Sequence, residues 1–178
     1  MFMLRFLVER MVLSCMALRG CSFIERGLWQ TATTVLVDAI PEDVPMGPPG
    51  AVLYIPTVYN FPAVNAVLVV IDPRRTAAVY GIQVAISQAH SNSEEMFFRK
   101  WEMWLEQLHL PREKVQFGFV WIVEDRPAVE NVPEKVVTLK GGRKIAHPDF
   151  KRLRVTVKEV DQNIAHNLSA ARERALRA

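Results

Sequence analysis

Two short stretches hold the residues best placed for chemistry. Residues 59–65 read YNFPAVN, a polar, proline-marked turn that ends on Asn65 and runs straight into the apolar AVLVVI. Residues 81–90 read GIQVAISQAH, which sets Gln83 inside a second apolar run and His90 just past its end. The amides at 65 and 83 offer carbonyl oxygens without charge, and His90 can donate to an anion or exchange a proton near neutral pH. Glu9 adds a carboxylate within the first apolar segment. Each also has an ordinary structural account. Asn commonly caps a turn with its own side chain, and a histidine at a strand end commonly bonds a backbone carbonyl. Glu9 stands four residues after Arg5, the spacing of a helical ion pair. Asp72 is acidic but lies seven residues beyond Asn65, more than ~20 Å along an extended strand. Phe97, Phe98, Trp101, Trp104, Phe117, Phe119 and Trp121 could stack on bases, but their spacing fits core packing. No G-x-x-x-x-G-K-[ST], G-x-S-x-G, H-E-x-x-H or paired C-x-x-C occurs.

The chain that must position these groups has 178 residues, half of them apolar and 23% charged. That is one packed domain, not a disordered tail. Cys15 and Cys21 allow a single disulfide but form no disulfide framework or zinc pair, so a reducing, intracellular compartment is the default. The first twenty residues are strongly apolar, yet Arg5, Glu9 and Arg10 interrupt them. They therefore suit neither a membrane span nor a secretion signal. They read instead as a core helix with Leu4, Leu7, Val8, Met11, Val12, Cys15 and Leu18 on its buried stripe. Such an abrupt start suggests a piece of a longer protein. The net charge of +3 conceals an asymmetry: residues 140–178 hold ten Lys or Arg against four Asp or Glu. That basic end could meet an anionic partner, or be a solvated surface.

Apolar runs at TTVLVDAI, AVLYI, AVLVVI and TAAVYGIQVAIS predict strands, with a proline-rich linker, PEDVPMGPPG, after the first. The four-residue turn DPRR makes the third and fourth antiparallel neighbours. SNSEEMFFRKWEMWLEQL begins with Ser91 and Glu94 at capping-box spacing and carries an apolar stripe, so one helix is expected there. VQFGFVWIV then returns as a strand parallel to the one before the helix. A hairpin turning at Gly141 and Gly142, a strand LRVTVKEV and a basic terminal helix follow. The expected core is helix, strand, strand, strand, helix, strand in a mixed sheet, an α/β or α+β domain spanning 1–139, with 140–178 as a basic C-terminal extension packed on it or forming a tail.

From about Leu53 to Trp121 the sequence LYIPTVYNFPAVNAVLVVIDPRRTAAVYGIQVAISQAHSNSEEMFFRKW and its continuation resemble the C-terminal domain of trypanosomatid retrotransposon hot spot proteins and the related domain of Crinkler-type effectors. In those families a Y-P…N-F-P-x-x-D segment leads one strand and a Q-x-T-x-x…H segment forms the next. The resemblance implies a restriction-endonuclease-like, PD-(D/E)XK-type fold, nuclear location, an association with DNA or RNA, no membrane partner, and an ATPase domain upstream in full-length relatives. Carried over, Asn65 stands at the family's Asp, Gln83 at its Gln, Ala85 where an active nuclease has Lys, and His90 at its His. Glu9 falls where some relatives have a further metal ligand. The implied catalytic positions are thus Glu9, Asn65, Gln83 and His90, and the implied ligands of a magnesium or manganese ion are Glu9, Asn65 and Gln83. Hydrolysis by such a site needs a divalent metal held by hard, partly anionic oxygens. Two amides and an alanine supply no charge, so a weak or inactive nuclease-derived domain is expected, with the side chains of 65 and 83 converging. Its nucleic-acid contacts would be Lys140, Arg143, Lys144, Lys151, Arg152 and Arg154. The alternatives are a scaffold subunit that keeps only the fold, and an active metal-dependent nuclease using Glu9, Gln83 and a substrate phosphate.

Overall fold

A computed structural model describes residues 2–20, 33–37, 50–57, 64–86, 93–124, 137–138, 144–145 and 151–177. Helix α1 (Phe2–Arg19) is followed by strands β1 (Thr33–Val37), β2 (Gly50–Pro56), β3 (Ala66–Ile71) and β4 (Ala77–Ala85). Helices α2 (Ser93–Phe98) and α3 (Trp101–Leu108) lead to β5 (Val115–Val123). The short strands β6 (Val137–Thr138) and β7 (Lys144–Ile145) form a separate antiparallel pair. Strand β8 (Lys151–Thr156), a single turn α4 (Val157–Val160) and α5 (Gln162–Arg177) complete the chain.

Six strands make one mixed sheet in the order β1-β2-β3-β4-β5-β8. Strand β3 runs against β2 and β4, and every other neighbouring pair is parallel. The expected hairpin is there: Asp72 N donates to Thr76 O at 2.9 Å, Asp72 Oδ1 accepts from Arg74 N at 2.6 Å, and Arg75 takes a positive φ of 57°. The parallel β4–β5 crossover through the α2–α3 layer is also as expected.

Alternation along the strands sorts their side chains into two cores. On one face Leu68, Tyr80, Ile82, Val84, Val120 and Ile122 pack with Val8, Val12, Leu13 and Met16 of α1 and Ile164 and Leu168 of α5. On the other, Val67, Val69, Val79, Phe117 and Phe119 pack with Phe97, Phe98, Trp104 and Leu108 of α2 and α3. Every residue of β3 is buried, as a strand covered on both faces must be. At the crossing of β4 and β5 the rings leave no room for a Cβ: one on Gly118 would sit 2.5 Å from the Tyr80 ring.

Several elements differ from expectation. The buried stripe of α1 is Val8, Glu9, Val12, Leu13 and Met16, while Leu7, Met11 and Leu18 face solvent. The helix is rotated by roughly one residue's 100° from the expected stripe. The single helix expected from 91 to 108 is two, because Lys100 leaves the helical region (φ −100°, ψ 10°) and its N–H bonds Phe97 O with three-residue spacing. This re-aims the apolar stripe so that Phe97, Phe98, Trp104 and Leu108 are all buried. Ser91 and the turn at Gly141 and Gly142 lie outside the described residues, as do 38–40 of the first expected strand. The last strand stops at Thr156, whose hydroxyl accepts from Glu159 N while Glu159 returns a carboxylate to Thr156 N, a capping box that starts α4. Strand β8 is the sixth member of the main sheet, and Ile164 and Leu168 of α5 lie in the α1-side core. Among the described residues, no helix is long and apolar enough to cross a membrane.

Candidate functional site

The register brings the carboxyl ends of β2, β4, β5 and β8 to one edge of the sheet, together with the amino end of β3. Open α/β sheets bind ligands at the edge where their parallel strands end. Here Asn65 stands one residue before β3. Its N–H bonds Ile82 O at 2.8 Å, and its Oδ1 accepts from Val84 N at 2.7 Å, so one side chain extends the β3–β4 ladder past the end of the strand. Its Nδ2 donates to Glu9 Oε2 at 3.3 Å. Glu9 is only 6% exposed because α1 turns that face onto the sheet. A buried carboxylate must find hydrogen-bond donors, and Asn65 supplies one.

The groups around this pair are charged. Arg10 donates to Pro56 O, the last residue of β2, at 3.3 Å and lies over the Phe6 ring at 5.5 Å. From α5, Arg172 donates to Ile86 O, just past β4, at 3.0 Å and pairs with Glu124, just past β5, at 2.5 Å. The base of the site is apolar: Ile82 and Val84 are the β4 side chains on the α1 side next to Asn65, which bonds the backbone of both.

The expected site residues divide. Glu9 and Asn65 meet. Gln83 does not join them. Val79 belongs to the α2–α3 core and a Cβ on Gly81 would touch Phe97, so regular alternation carries Gln83, 4% exposed, to the face opposite α1. The expectation that side chains 65 and 83 converge is therefore corrected, and with it the three-residue ligand set Glu9, Asn65 and Gln83. Ala85 shares the face of Gln83. His90 lies outside the described residues. Asp72 is at the other end of the sheet, in the hairpin turn. Among the described residues there is no group of three or more His, Cys, Asp or Glu side chains able to hold a metal ion.

Gln83 has its own surroundings. In register beside it on β5 is Trp121, and beside that on β8 is Arg154. Trp121 Nε1 donates to Glu94 Oε2 at 3.3 Å, and Arg152 pairs with the same carboxylate. Of the expected nucleic-acid contacts, Arg152 is thus engaged by Glu94, whereas Lys151 and Arg154 are exposed on the edge strand. Strand alternation puts Arg152 and Arg154 on the α2 side, away from Glu9 and Asn65. Lys140 and Arg143 lie outside the described residues, and Lys144 is described only through the backbone of β7.

Sequence reasoning missed Asp161 and Arg172. Asp161 Oδ1 accepts from Asn163 N and Ile164 N, capping α5, while Oδ2 pairs with Arg19 and receives the Cys15 thiol at 3.7 Å. The backbone donors, with Arg19, hold its carboxyl below the ordinary range. Burial pushes the Cys15 thiol, a free cysteine, above its ordinary value. The sequence signal for Asp161 was an Asp directly before a helical run. Arg172 had one too, four residues beyond Leu168 on the stripe of α5 that meets the sheet.

The geometry ties the two side chains to each other. The amide that could offer an oxygen to a metal has given it to a backbone N–H, and turns its NH2 toward the carboxylate. No family model, no curated protein and no solved structure matches this chain.

Proposed function

We propose that this chain is a nuclease-derived domain of the retrotransposon hot spot or Crinkler type, with a restriction-endonuclease-like core, that binds a nucleic-acid backbone without cleaving it. Three observations support the reading. The chain runs helix, strands, helices, strand in one mixed sheet, an order compatible with the core that the resemblance implies. The residue at the family's Asp position and the acidic residue of the first helix are in contact. Both sit at the edge where such sheets bind ligands.

The observation that carries the loss of catalysis is the Asn65–Glu9 hydrogen bond. In a live site two carboxylates there would share a divalent cation. An amide NH2 against a carboxylate replaces the cation with a hydrogen bond, and β4 brings no carboxylate to that face, where its side chains are Ala78, Tyr80, Ile82 and Val84. Magnesium is normally held by one or two carboxylates together with substrate phosphates, and the one carboxylate of this pair is already bonded to an amide.

The test is binding of mixed-sequence DNA and RNA at two salt concentrations. Contacts to phosphates release counterions, so affinity should fall steeply with salt. Absence of binding to both polymers would favour the scaffold reading, which the divergence of Gln83 from Asn65 also favours.

A further inference from the structure

Of the basic residues expected to contact nucleic acid, Arg152 and Arg154 lie on the wrong side of the sheet for a ligand at Glu9 and Asn65. Arg152 is held by Glu94, and Arg154 shares its face. Two other guanidinium groups frame the pair itself. Arg10 sits on the end of β2 and Arg172 on the end of β4, each fixed by a strand-terminal carbonyl, Pro56 O and Ile86 O. Strand β3, with Asn65 before it, lies between those two strands. Neighbouring strands are ~4.8 Å apart, and the register sets Pro56 level with Asn65 but Ile86 three residues further along, so the carbonyls that anchor the two guanidiniums are roughly 14 Å apart, on the strands either side of β3.

We propose that Arg10 and Arg172 are the groups that grip a nucleic-acid backbone at this edge, one on each side of Asn65. This assignment rests on the nucleic-acid reading above and deepens it. Arginine suits the task, because a planar guanidinium carries five donors and can keep a carbonyl bond while meeting a phosphate. Both side chains are pre-positioned. Arg10 is fixed on α1 beside the Phe6 ring, and Arg172 extends the apolar stripe of α5 one turn past Leu168 to the mouth of the sheet. Glu124 gives the site its resting state: it pairs with Arg172, whose side chain is 45% exposed, and a phosphate must compete with it. Strand β4 presents no charged side chain toward α1, so among the described residues the arginines at this edge come from the two helices.

The experiment compares the full chain with R10Q/R172Q, K151Q/R154Q, E124Q and E113Q. Each protein is titrated with a mixed-sequence oligonucleotide, as duplex DNA and as RNA, between 50 and 200 mM salt, with a thermal melt alongside. E113Q removes one negative charge at the far edge, in the turn before β5, and controls for net charge. For R10Q/R172Q the slope of log affinity against log salt should be shallower by about 2, one per arginine, and affinity at 50 mM salt should be weaker. K151Q/R154Q should keep most of the slope. E124Q should bind more tightly than E113Q. If R10Q/R172Q keeps the wild-type slope while K151Q/R154Q loses it, the assignment is overturned and the nucleic-acid reading stands. If the wild type binds neither polymer, both are overturned. If R10Q/R172Q melts below the assay temperature, E124Q decides: tighter than E113Q supports the assignment, and equal binding overturns it.

Discussion

Substituting Asn65 by Asp probes the pair with almost no change in shape. The new side chain keeps the oxygen that accepts from Val84 N, and exchanges only the NH2 for an oxygen. That oxygen would stand where Nδ2 now lies, 3.3 Å from Glu9 Oε2. Two full charges at that separation repel by about 5 kcal/mol at an effective dielectric near 20. The protein has a cheaper route, which is to let the two carboxyls share a proton. Holding an ordinary carboxyl of pKa near 4 in its acid form at pH 7 costs ~1.4 kcal/mol per pH unit, about 4 kcal/mol. The smaller figure limits the loss, so N65D should be less stable than wild type by ~3–4 kcal/mol at pH 7, or roughly 6–16 °C in Tm for a chain of this size. The sign follows from linkage. The shared proton is bound more tightly in the folded state than in the unfolded chain, so the variant matches wild type near pH 4 and falls behind as pH rises through the raised folded value. A divalent cation should offset the same repulsion. Thermal melts from pH 4 to 8, with and without manganese, read all three effects. N65D should lose stability with rising pH and recover it with the metal, while wild type responds to manganese little or not at all. If N65D melts with wild type at pH 7.5 and ignores manganese, Glu9 and position 65 do not face each other as described.

The rotation of α1 makes a paired expectation: Leu13→Ala should cost ~2–4 kcal/mol in chemical denaturation, whereas Leu18→Ala should stay within about 0.5 kcal/mol, because Leu13 is 3% and Leu18 80% exposed. Gly118→Ala should cost ~1–3 kcal/mol, since its Cβ would meet the Tyr80 ring at 2.5 Å; an unchanged urea midpoint would contradict the packing of β4 on β5. Asp161→Asn removes a carboxyl that the α5 backbone and Arg19 hold below its ordinary pKa of 3.8. Its stabilising effect is present above that value and fades as pH falls through the lower folded value. The stability gap between wild type and D161N should therefore be full at neutral pH and close under acid, and a gap that widens in acid would refute it.

What could be read in advance depended on how unambiguous the local signal was. The β3–β4 hairpin was legible because a Pro-containing turn separates two apolar runs, and the β4–β5 crossover because a polar, capped segment separates two more. The face of Gln83 was not legible. Strand β4 is buried along almost its whole length, and a strand covered on both sides has no polar alternation to show its parity. The same physics hid the orientation of α1. With apolar residues nearly all round that helix, several stripes fit, and of the expected stripe's members with a described side chain the structure buries fully Val8 and Val12. That rotation is what turns Glu9 inward to Asn65. At Thr156 the β-branched run Val155, Thr156, Val157 carries a strand signal that masks the capping box T-x-x-E at 156–159. Arg172 was one of ten basic residues in the last 39, and only the docking of α5 separates it from the others.

The proposal that the hydrogen-bonded Glu9–Asn65 pair does no metal chemistry is open to direct test. Its most direct measurement is incubation of supercoiled plasmid with purified wild type and E9A in manganese buffer, scored for nicked and linear product. Neither protein should give cleavage above the protein-free blank. Cleavage by wild type that disappears in E9A would contradict it.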